Sequence, residues 1–306
     1  MTLLLTRRDV AALLTIDDCI DAVERAFRLL GEGAVPPPAI AGVHAAEGAF
    51  HIKAALMGDR FAAKINANFF NSIPRIKGLI ILADASDGSP LAVLDSIEIT
   101  ILRTGAATAV AARQLARADA RTALICGCGI QGRIQAQAIR RVRNIETLYA
   151  YDADPALAQV FAREVGAVAV SEPVSADVVI TCTPSRDAFL RNVRPGTFVA
   201  AVGADSEIKQ EVAPELMASS KVVTDVTDQC ATIGDLHHAL DAGAMTRDNV
   251  YAELAEIVSG RKQGRIAEDE VIVFDSTGMA LQDVAAASIV YERARAQGRG
   301  TEMAFA

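Results

Sequence analysis

Several residue types are scarce in this chain of 306 residues, and their scarcity excludes whole classes of protein. There is no tryptophan, and the five cysteines form no C-x-x-C pair, so neither a zinc ribbon nor a disulfide framework is predicted. The four histidines include the adjacent His237 and His238, but the chain contains no H-E-x-x-H and no G-x-S-x-G sequence. We therefore expect neither a metal site nor a serine nucleophile.

Long apolar runs and basic runs are also missing. No apolar stretch approaches the roughly 20 residues that a membrane-spanning helix needs, and the first residues do not resemble a secretory signal. The net charge is −8 without a polybasic segment, so we expect neither nucleic acid nor a membrane surface as a partner. Hydrophobic residues make up 51% of the chain, enough for a full core. These features predict a cytoplasmic globular protein whose cysteines are buried thiols.

The most informative motif is a G-x-G-x-x-G sequence formed by Gly127, Gly129 and Gly132. A short apolar segment at 122–126 precedes it, a helical segment at 134–143 follows, and a second apolar strand ends at Asp152. This order is typical of a dinucleotide-binding βαβ unit. We predict that Gly127 permits the tight turn, Gly129 admits a pyrophosphate, and Gly132 lets the helix pack closely on the strand.

The acidic residue that ends the second strand indicates which dinucleotide is bound. Asp152 can accept hydrogen bonds from both ribose hydroxyls, and its charge would repel a 2′-phosphate. Residues 153–155 supply no arginine or lysine that would bind such a phosphate. The sequence therefore predicts NAD as the cofactor rather than NADP.

The pattern of strands and helices predicts an α/β protein with two domains. We expect a Rossmann-type, doubly wound parallel sheet at 117–278, with strands at 122–126, 147–152, 178–183, 198–202, 221–224 and 271–275. A smaller α+β domain for substrate and dimerisation is expected at 1–116 with 279–306. Its predicted elements are helices at 8–33, 97–117 and 279–295 and strands at 50–56, 61–66, 78–84 and 90–95, the last two joined by a hairpin at 86–89.

Three charged residues are candidates for the chemistry. Lys64 lies in an apolar strand, where burial would lower its pKa; it is either an acid–base group, a ligand of a substrate carboxylate, or a lysine reaching solvent. Arg103 lies on a helix of small apolar residues, and it binds either a carboxylate ligand or Asp283 of the final helix. Asp205 follows a strand of the Rossmann sheet, where it either moves a proton or caps a helix.

Two further strand ends belong to the same predicted edge of the sheet. Thr183 and Pro184 end one strand and are candidates for the nicotinamide pocket. The segment 275–278, which includes Ser276, is either a third part of this rim or the capped start of a helix.

Taken together, these residues resemble the ornithine cyclodeaminase/μ-crystallin family over nearly the whole chain. The resemblance is carried by short motifs at 102–107, 127–132, 202–205, 209–211, 234–236, 253–260 and 274–278. It implies a homodimer and a Rossmann domain that binds NAD(P). It also implies that Arg103 binds the substrate carboxylate, Lys64 is the active-site lysine, and Asp205 is the acid–base aspartate. The implied cofactor-binding residues are Thr104, Gly127, Gly129, Ile130, Gln131, Gly132, Asp152, Thr183, Pro184, Val202, Gly203 and Ser276.

The chain departs from the family pattern in three places. Residues 38–40 lack the arginine that commonly follows the paired prolines, Lys53 stands in the usual Met-Pro position, and Lys77 replaces a glutamine. Lys53 shares a strand face with His51, and both are candidate substrate-binding residues. The cations at 51, 53, 64 and 103 favour an anionic or oxygen-rich substrate, and they disfavour the δ-ammonium of ornithine because like charges repel in a desolvated pocket.

The resemblance implies hydride transfer at the Cα of a small α-amino or α-imino acid. We expect an imine or ketimine reductase, or an amino-acid dehydrogenase. One alternative is an ornithine cyclodeaminase, which releases ammonia and recycles its own NAD. The other is a non-enzymatic protein of the μ-crystallin kind that holds NAD(P)H and a small ligand.

Overall fold

The computed structural model describes residues 1–69, 71–74 and 76–305, and its elements alternate between strands and helices. The first part of the chain contains β1 (Thr2–Leu5), α1 (Arg7–Leu13), α2 (Ile16–Gly31), β2 (Ala39–Ala45), β3 (Gly48–Met57), β4 (Arg60–Phe69), β5 (Ile76–Asp84), β6 (Pro90–Asp95) and α3 (Ile97–Leu115). Then follow β7 (Thr122–Cys126), α4 (Ile130–Val142), β8 (Thr147–Tyr151), α5 (Pro155–Val165), β9 (Val168–Ala169), β10 (Val178–Thr181), β11 (Phe198–Ala201) and α6 (Pro214–Ala218). The remainder forms β12 (Lys221–Thr224), α7 (Thr227–Ile233), α8 (Asp235–Asp241), β13 (Val250–Glu253), α9 (Leu254–Val258), β14 (Ile272–Asp275), α10 (Ala280–Gln297) and β15 (Thr301–Met303).

The chain divides into two compact units. Unit 1 comprises Met1–Ala106 and the chain from Met279 onward, and unit 2 comprises Ala107–Gly278. The division falls inside α3, whereas the sequence places a domain boundary after that helix, at 116/117. The last residue of the predicted first domain, Ala306, lies outside the described residues.

Unit 1 is a seven-stranded sheet with helices on one face. The strand order is β15-β1-β6-β5-β4-β3-β2, in which β1 and β6 are parallel and the other neighbours are antiparallel. Helix α10 packs on α2, β3 and β4, and the core between sheet and helices includes Phe27, Ile80 and Leu82, all fully buried. Lys53 and Lys64 are buried in the same alternating pattern as Ala55 and Ala62. Both lysines therefore lie on the inner face of the sheet, which is covered by the helices.

The N-terminal helix differs from the prediction. The single helical segment expected over 8–33 is two helices, α1 and α2, separated by two extended residues, Leu14 and Thr15. The reason is a new N-cap: the Thr15 hydroxyl accepts from the Asp18 backbone N–H at 3.3 Å, and the Asp18 carboxylate accepts from the Thr15 N–H at 3.1 Å. This reciprocal cap starts a second helix where the apolar periodicity alone shows no break.

Unit 2 is an eight-stranded sheet in which every neighbouring pair is parallel. Its order is β13-β12-β14-β11-β10-β7-β8-β9, and helices α4 and α5 connect β7 to β8 and β8 to β9. The strand order reverses between β7 and β10, which defines the topological switch point where such sheets bind ligands. The predicted Rossmann-type, doubly wound parallel sheet is thus confirmed. Among the residues that the structure describes, no helix is long and apolar enough to cross a membrane.

Candidate active site

The glycine turn after β7 has the geometry that its sequence predicts. Gly127 has a φ of +104°, which favours glycine. A Cβ at Gly132 would lie 2.1 Å from the Gly127 carbonyl oxygen, so only glycine permits this approach of α4 to the turn. A Cβ at Gly129 would meet no protein atom within 4 Å, so packing does not require glycine there. The open space in front of Gly129 therefore fits a ligand that approaches the backbone at the start of α4.

Asp152 lies beside this turn at the end of β8. One carboxylate oxygen accepts from the Cys128 backbone N–H at 2.8 Å, and the other accepts from the Asp154 N–H at 3.0 Å. The side chain remains partly exposed. The remaining lone pairs of a carboxylate fixed in this way can accept from ribose hydroxyls, as predicted.

The next residues of the motif, at the start of α4, are placed beside the turn. Ile130 is 60% exposed in the first turn of the helix. The Gln131 side-chain carbonyl oxygen is buried and has no hydrogen-bond partner within the described part of the chain. An orphaned acceptor beside the glycine turn is consistent with a polar ligand at this position.

Arg133 was not identified from the sequence, although it follows the glycine motif directly. Its guanidinium donates to the Cys128 and Gly129 carbonyl oxygens at 2.9 and 3.0 Å and to the Glu164 carboxylate at 2.7 Å. From the sequence, cations were sought only at 153–155, directly after Asp152. Arg133 of α4 instead stabilises the glycine turn, and Glu164 balances its charge.

The other predicted cofactor residues of unit 2 lie at the carboxyl ends of β10, β11 and β14, the three strands that follow β7 in succession on one side of it in the sheet. Thr183 and Pro184 follow β10, Val202 and Gly203 follow β11, and Ser276 follows β14. The structure therefore brings all of these residues to one edge with the glycine turn. Thr104 does not join them in unit 2, since it lies in the part of α3 that belongs to unit 1 and donates its hydroxyl to the Thr100 carbonyl oxygen.

A buried glutamate, Glu211, ties two of these strand ends together. Its carboxylate accepts from the Thr183 N–H at 2.6 Å, the Thr183 hydroxyl at 2.7 Å, the Thr181 hydroxyl at 2.7 Å and the Gly203 N–H at 2.9 Å. A Cβ at Gly203 would lie 2.5 Å from the Glu211 carboxylate, so glycine is needed for this approach. Glu211 thus fixes the loops after β10 and β11 relative to each other.

Two more buried carboxyl groups of unit 2, those of Asp235 and Asp275, form a cluster with Glu211. Asp235 accepts from the Glu211 and Val212 N–H groups at 2.8 and 2.9 Å, and Asp275 accepts from the Leu236 N–H at 2.8 Å. Burial raises the pKa of Asp235 to about 7, and the charge of Glu211 adds to this rise. Burial, and then the charge of Asp235, raises the pKa of Asp275. The cluster therefore retains protons near neutral pH.

Ser276 is oriented by a fourth buried acid, Asp225. The Ser276 hydroxyl donates to the Asp225 carboxylate at 3.0 Å, and the Gly278 N–H donates to the same oxygen at 2.5 Å. The segment after β14 is therefore held by an internal carboxylate, and the cofactor role of Ser276 stays a prediction.

Asp205 lies in the loop after β11, where its carboxylate is exposed and paired with Lys209 at 2.5 Å. No helix begins at Asp205, since the next helix, α6, starts at Pro214. The alternative reading of Asp205 as a helix N-cap is therefore wrong. The exposed carboxylate at the end of a parallel strand is accessible for proton transfer.

Unit 1 contains a second group of predicted site residues, centred on a buried ion pair. The Lys64 Nζ lies 2.8 Å from each carboxylate oxygen of Asp283, and both side chains are almost completely buried, 3% and 2% exposed. The Arg103 Nε lies 3.5 Å from the same carboxylate, and an Arg103 Nη donates to the Gln282 side-chain oxygen at 3.2 Å. The salt bridge between Arg103 and Asp283, one of the two alternatives from the sequence, is thus present.

Two buried hydrogen-bond donors of this group have no acceptor within the described part of the chain. Among the described residues, neither the Arg103 Nε nor the Gln282 Nε2 has a hydrogen-bond partner, although both are buried. Unpaired buried donors are costly unless a ligand completes them. The arrangement therefore fits a ligand rich in acceptors, such as a carboxylate.

The Lys64 ammonium loses its proton more readily than a lysine that is exposed to water. Burial lowers its pKa to about 7; the Asp283 charge opposes this effect, and the charges of Arg103 and Lys53 add to it. The alternative of a lysine that reaches solvent is wrong, since the side chain is buried. A lysine with a pKa close to neutral can both donate and accept a proton.

Lys53 and His51 lie on the same inner sheet face as Lys64. Lys53 is 9% exposed and lies directly opposite Lys64 in the register of β3 and β4, and His51 lies opposite Asn66. The structure thus places all four predicted substrate-side residues, Lys53, His51, Lys64 and Arg103, in unit 1. Their roles stay predictions.

Sequence reasoning missed Gln282 as a site residue and treated Asp283 only as a possible partner of Arg103. The signal was available: two consecutive polar residues interrupt the otherwise apolar start of α10 and are fully buried there. Glu211 and Asp235 were not predicted as site residues either, although both lie in motifs that carry the family resemblance, at 209–211 and 234–236.

The fold and these two groups of residues define a dinucleotide-binding α/β protein whose second unit buries three cationic side chains, Lys53, Lys64 and Arg103. A model described as the ornithine cyclodeaminase/mu-crystallin family matches residues 1–298, and the chain belongs to that family.

Individual relatives match over nearly their full length. Alanine dehydrogenase of Archaeoglobus fulgidus is 36% identical over 318 residues, covering 99% of this chain and 98% of the relative. A solved archaeal alanine dehydrogenase dimer with bound NAD has a TM-score of 0.96 and 34% identity, and covers 100% of this chain and 99% of the other. Delta(1)-pyrroline-2-carboxylate reductase of Thermococcus litoralis, solved with NADH and L-proline, has a TM-score of 0.92 and 32% identity, with 99% and 100% covered.

Proposed function

We propose that this protein is an NAD-dependent oxidoreductase that transfers a hydride at the Cα of a small α-amino or α-imino acid. It acts as an imine reductase or an amino-acid dehydrogenase. The observation that carries this proposal is the buried ion pair of Lys64 and Asp283, beside which Arg103 and Gln282 each hold a donor that has no acceptor among the described residues. The relatives of the chain include an alanine dehydrogenase.

The proposed cofactor residues lie at one edge of the sheet in unit 2. Gly127, Gly129 and Gly132 provide the turn and the helix start for the diphosphate, Asp152 accepts from the ribose, and Glu211 holds Thr183 and Gly203 in place. When bound, NAD accepts or gives a hydride at C4 of its nicotinamide. NAD is preferred to NADP because the Asp152 carboxylate would repel a 2′-phosphate.

The substrate carboxylate is assigned to unit 1. Arg103 can donate to it through Nε, and Gln282 through Nε2, both of which are buried and oriented by neighbours. A substrate fixed through its carboxylate has a defined Cα position, and this positioning is a major part of catalysis.

Reduction of an imine consumes a hydride at carbon and a proton at nitrogen. Lys64 and Asp205 are the two proposed proton donors, since Lys64 has a pKa near neutrality and Asp205 has an accessible carboxylate. Asp283 positions Lys64 through the contact at 2.8 Å. In the oxidative direction the same groups accept the proton.

The function is tested by following NADH and ammonia together. With Δ1-pyrroline-2-carboxylate, or with pyruvate and ammonium, we expect one NADH oxidised for each amino acid formed. Ornithine with catalytic NAD should release little ammonia. Ammonia and proline formed from ornithine without net change in NADH would instead identify a cyclodeaminase. Tight NADH binding without turnover of any of these compounds would identify a binding protein.

The pH profile of imine reduction should report Lys64. Reduction requires its protonated form, so kcat/KM for the imine should fall as the pH rises through about 7. Amino-acid oxidation requires the neutral amine and should rise over the same range. A profile that does not change through this pH range, in either direction of the reaction, would contradict a proton-transfer role for Lys64.

Replacing Asp152 with alanine should weaken NAD binding. Loss of the carboxylate removes acceptors for the ribose and frees the Cys128 N–H, so we expect an increase in Kd of about 10- to 100-fold. Calorimetric titration with NAD and NADP measures it, and discrimination against NADP should decrease. Asp248→Asn, which changes an exposed carboxylate of the same unit, is the control. An unchanged Kd for NAD would remove Asp152 from the cofactor site.

We also propose that the protein is a homodimer. The outer face of the unit 1 sheet exposes a group of large apolar side chains, namely Phe50, Leu56, Ile65, Leu79 and Ile81. An apolar sheet face of this kind fits a second copy of itself, and the archaeal relative is a dimer. Light scattering should give twice the chain mass of 32.2 kDa, and Leu79→Lys should shift the protein towards monomer. A wild-type monomer would contradict the proposal.

We propose the cytoplasm as the compartment, on the evidence of the cysteines. All five are free thiols, four of them buried. Thiols persist in a reducing environment, which supports the cytoplasm as the place where the protein acts.

A further inference from the structure

The inner face of the unit 1 sheet carries a pair of like charges. Lys53 on β3 and Lys64 on β4 are direct cross-strand partners, 9% and 3% exposed. Partners in this position have Cβ atoms about 5 Å apart, and like charges there destabilise a sheet. Arg103, 8% exposed, contributes a third cation whose charge acts on Lys64. Asp283 supplies one anion to this group of three cations, and because buried charges are stable only when they are balanced, the group suits a ligand that brings further negative charge.

The polar neighbours of Lys53 and Lys64 on this face lie on one side of them. On that side lies the pair of His51 and Asn66, which is half-buried and polar. Towards the other end of the strands the pair of Ala55 and Ala62 separates the two lysines from Arg60, which pairs with Glu292. Successive residues on one face of a strand are about 7 Å apart. The polar strip formed by Lys53, Lys64, His51 and Asn66 is therefore longer than one carboxylate requires.

The cationic and polar groups of this site come from two sources. The Arg103 Nε and the Gln282 Nε2, which lack an acceptor among the described residues, belong to helices α3 and α10, where the proposed function assigns the α-carboxylate. Lys53 belongs to the sheet, and its neighbour along the same face of β3 is His51. A cation on a different element from the α-carboxylate ligands suits a second anionic group on the same substrate.

We propose that the substrate carries a second carboxylate, bound by Lys53 with His51, so that the enzyme acts on dicarboxylic α-imino acids. This inference rests on the proposed function and specifies its substrate class. The imine forms when ammonia condenses with a dicarboxylic 2-oxo acid and water leaves. NADH then gives a hydride to the imine carbon, a proton goes to nitrogen, and the products are NAD and an acidic amino acid.

Substrate preference tests the proposal directly. NADH oxidation is measured with ammonium and each of pyruvate, oxaloacetate and 2-oxoglutarate. We expect kcat/KM for one of the two dicarboxylic acids to exceed that for pyruvate by about 10-fold or more, the effect of one charged hydrogen bond. Preference for pyruvate, or for Δ1-pyrroline-2-carboxylate, over both would overturn the second-carboxylate site and leave the proposed function intact.

A variant assigns that preference to Lys53. Lys53→Met should lower kcat/KM for the preferred dicarboxylic acid about 10- to 100-fold more than kcat/KM for pyruvate, with the additional loss in KM. The charge of Lys53 also acts on the pKa of Lys64, an effect that both substrates share, so the two are compared at the same pH. Lys53→Arg should retain much of the preference. Lys77→Met, the same change at an exposed lysine on β5, is the matched control and should alter neither substrate. Equal losses for both substrates in Lys53→Met would overturn the assignment.

A binding measurement separates this proposal from the reaction itself. Succinate and propionate are titrated calorimetrically into the protein with NAD, and succinate should bind more tightly by about 10-fold in the wild type. The difference should disappear in Lys53→Met. If no 2-oxo acid is reduced but this difference is found, the proposed reaction fails and the second-carboxylate site stands. Equal binding of the two acids would refute the site.

Discussion

Replacing Lys64 with methionine should lower kcat for imine reduction by about 100- to 10,000-fold, the range attributed to one general acid–base group. The side chain is buried, it contacts the Asp283 carboxylate at 2.8 Å, and burial lowers its pKa to about 7. Methionine has a similar volume and cannot transfer a proton. Because the glycine turn belongs to unit 2, the Kd for NAD should change little.

Two measurements separate loss of chemistry from loss of structure in this variant. Thermal unfolding and the Kd for NAD show whether Lys64→Met is folded, since Asp283 loses its contact at 2.8 Å and keeps only Arg103 at 3.5 Å, and we expect a lower melting temperature. Lys77→Met removes an exposed lysine from the same sheet and should retain full activity. A folded Lys64→Met variant with wild-type kcat would show that the catalytic group lies elsewhere.

Asp205→Asn should have an effect of similar size. The exposed carboxylate after β11 is the second proposed proton donor, and asparagine keeps its shape without its acidity. We expect kcat to fall by about 100-fold or more, and NAD binding to remain close to that of the wild type. Rapid-mixing and steady-state measurements of NADH oxidation report the change.

The ion pair of Asp205 with Lys209 requires its own control. Lys209→Met removes the partner at 2.5 Å and leaves the carboxylate in place, so it should reduce activity far less than Asp205→Asn. If the two variants lose activity equally, Asp205 acts by holding the loop through Lys209 and not by moving a proton.

Much of unit 2 could be predicted from the sequence because its signals are local. The glycine spacing at 127–132, the apolar strands and the acidic end of β8 are each readable within a few residues. The parallel order then follows from the connections, and the carboxyl ends of β7, β10, β11 and β14 meet at one edge as expected. The helix break at Leu14 was missed because a capping box interrupts the helix without interrupting its apolar pattern.

The buried acids were harder to predict because their partners are distant in sequence. Glu211 accepts from Thr181, Thr183 and Gly203, groups that follow two different strands. Asp283 meets Lys64 across 219 residues of chain. Only the folded chain shows that these carboxylates organise the two groups of site residues, although the position of Gln282 and Asp283 within an apolar helix was a visible sign.

Three strands of unit 1, namely β1, β2 and β15, were not predicted from the sequence. β2 is exposed along its whole length, and β15 likewise, so neither has the alternating apolar pattern that marks a half-buried strand. β1 has four residues, too few for a pattern to be recognised. An alternating apolar pattern shows which strands are half-buried. These three strands are recognised only by their backbone pairing with neighbouring strands, which the sequence does not show.

The account depends on a hydride that passes between the nicotinamide and the substrate Cα, and isotope transfer tests this most directly. The protein is incubated with an imino acid and NADH carrying deuterium at both C4 positions, and the amino acid formed is analysed by mass spectrometry and NMR. One deuterium at Cα, with one NAD formed per amino acid, is the predicted result. An amino acid with only hydrogen at Cα, or ammonia released without net oxidation of NADH, would contradict the account.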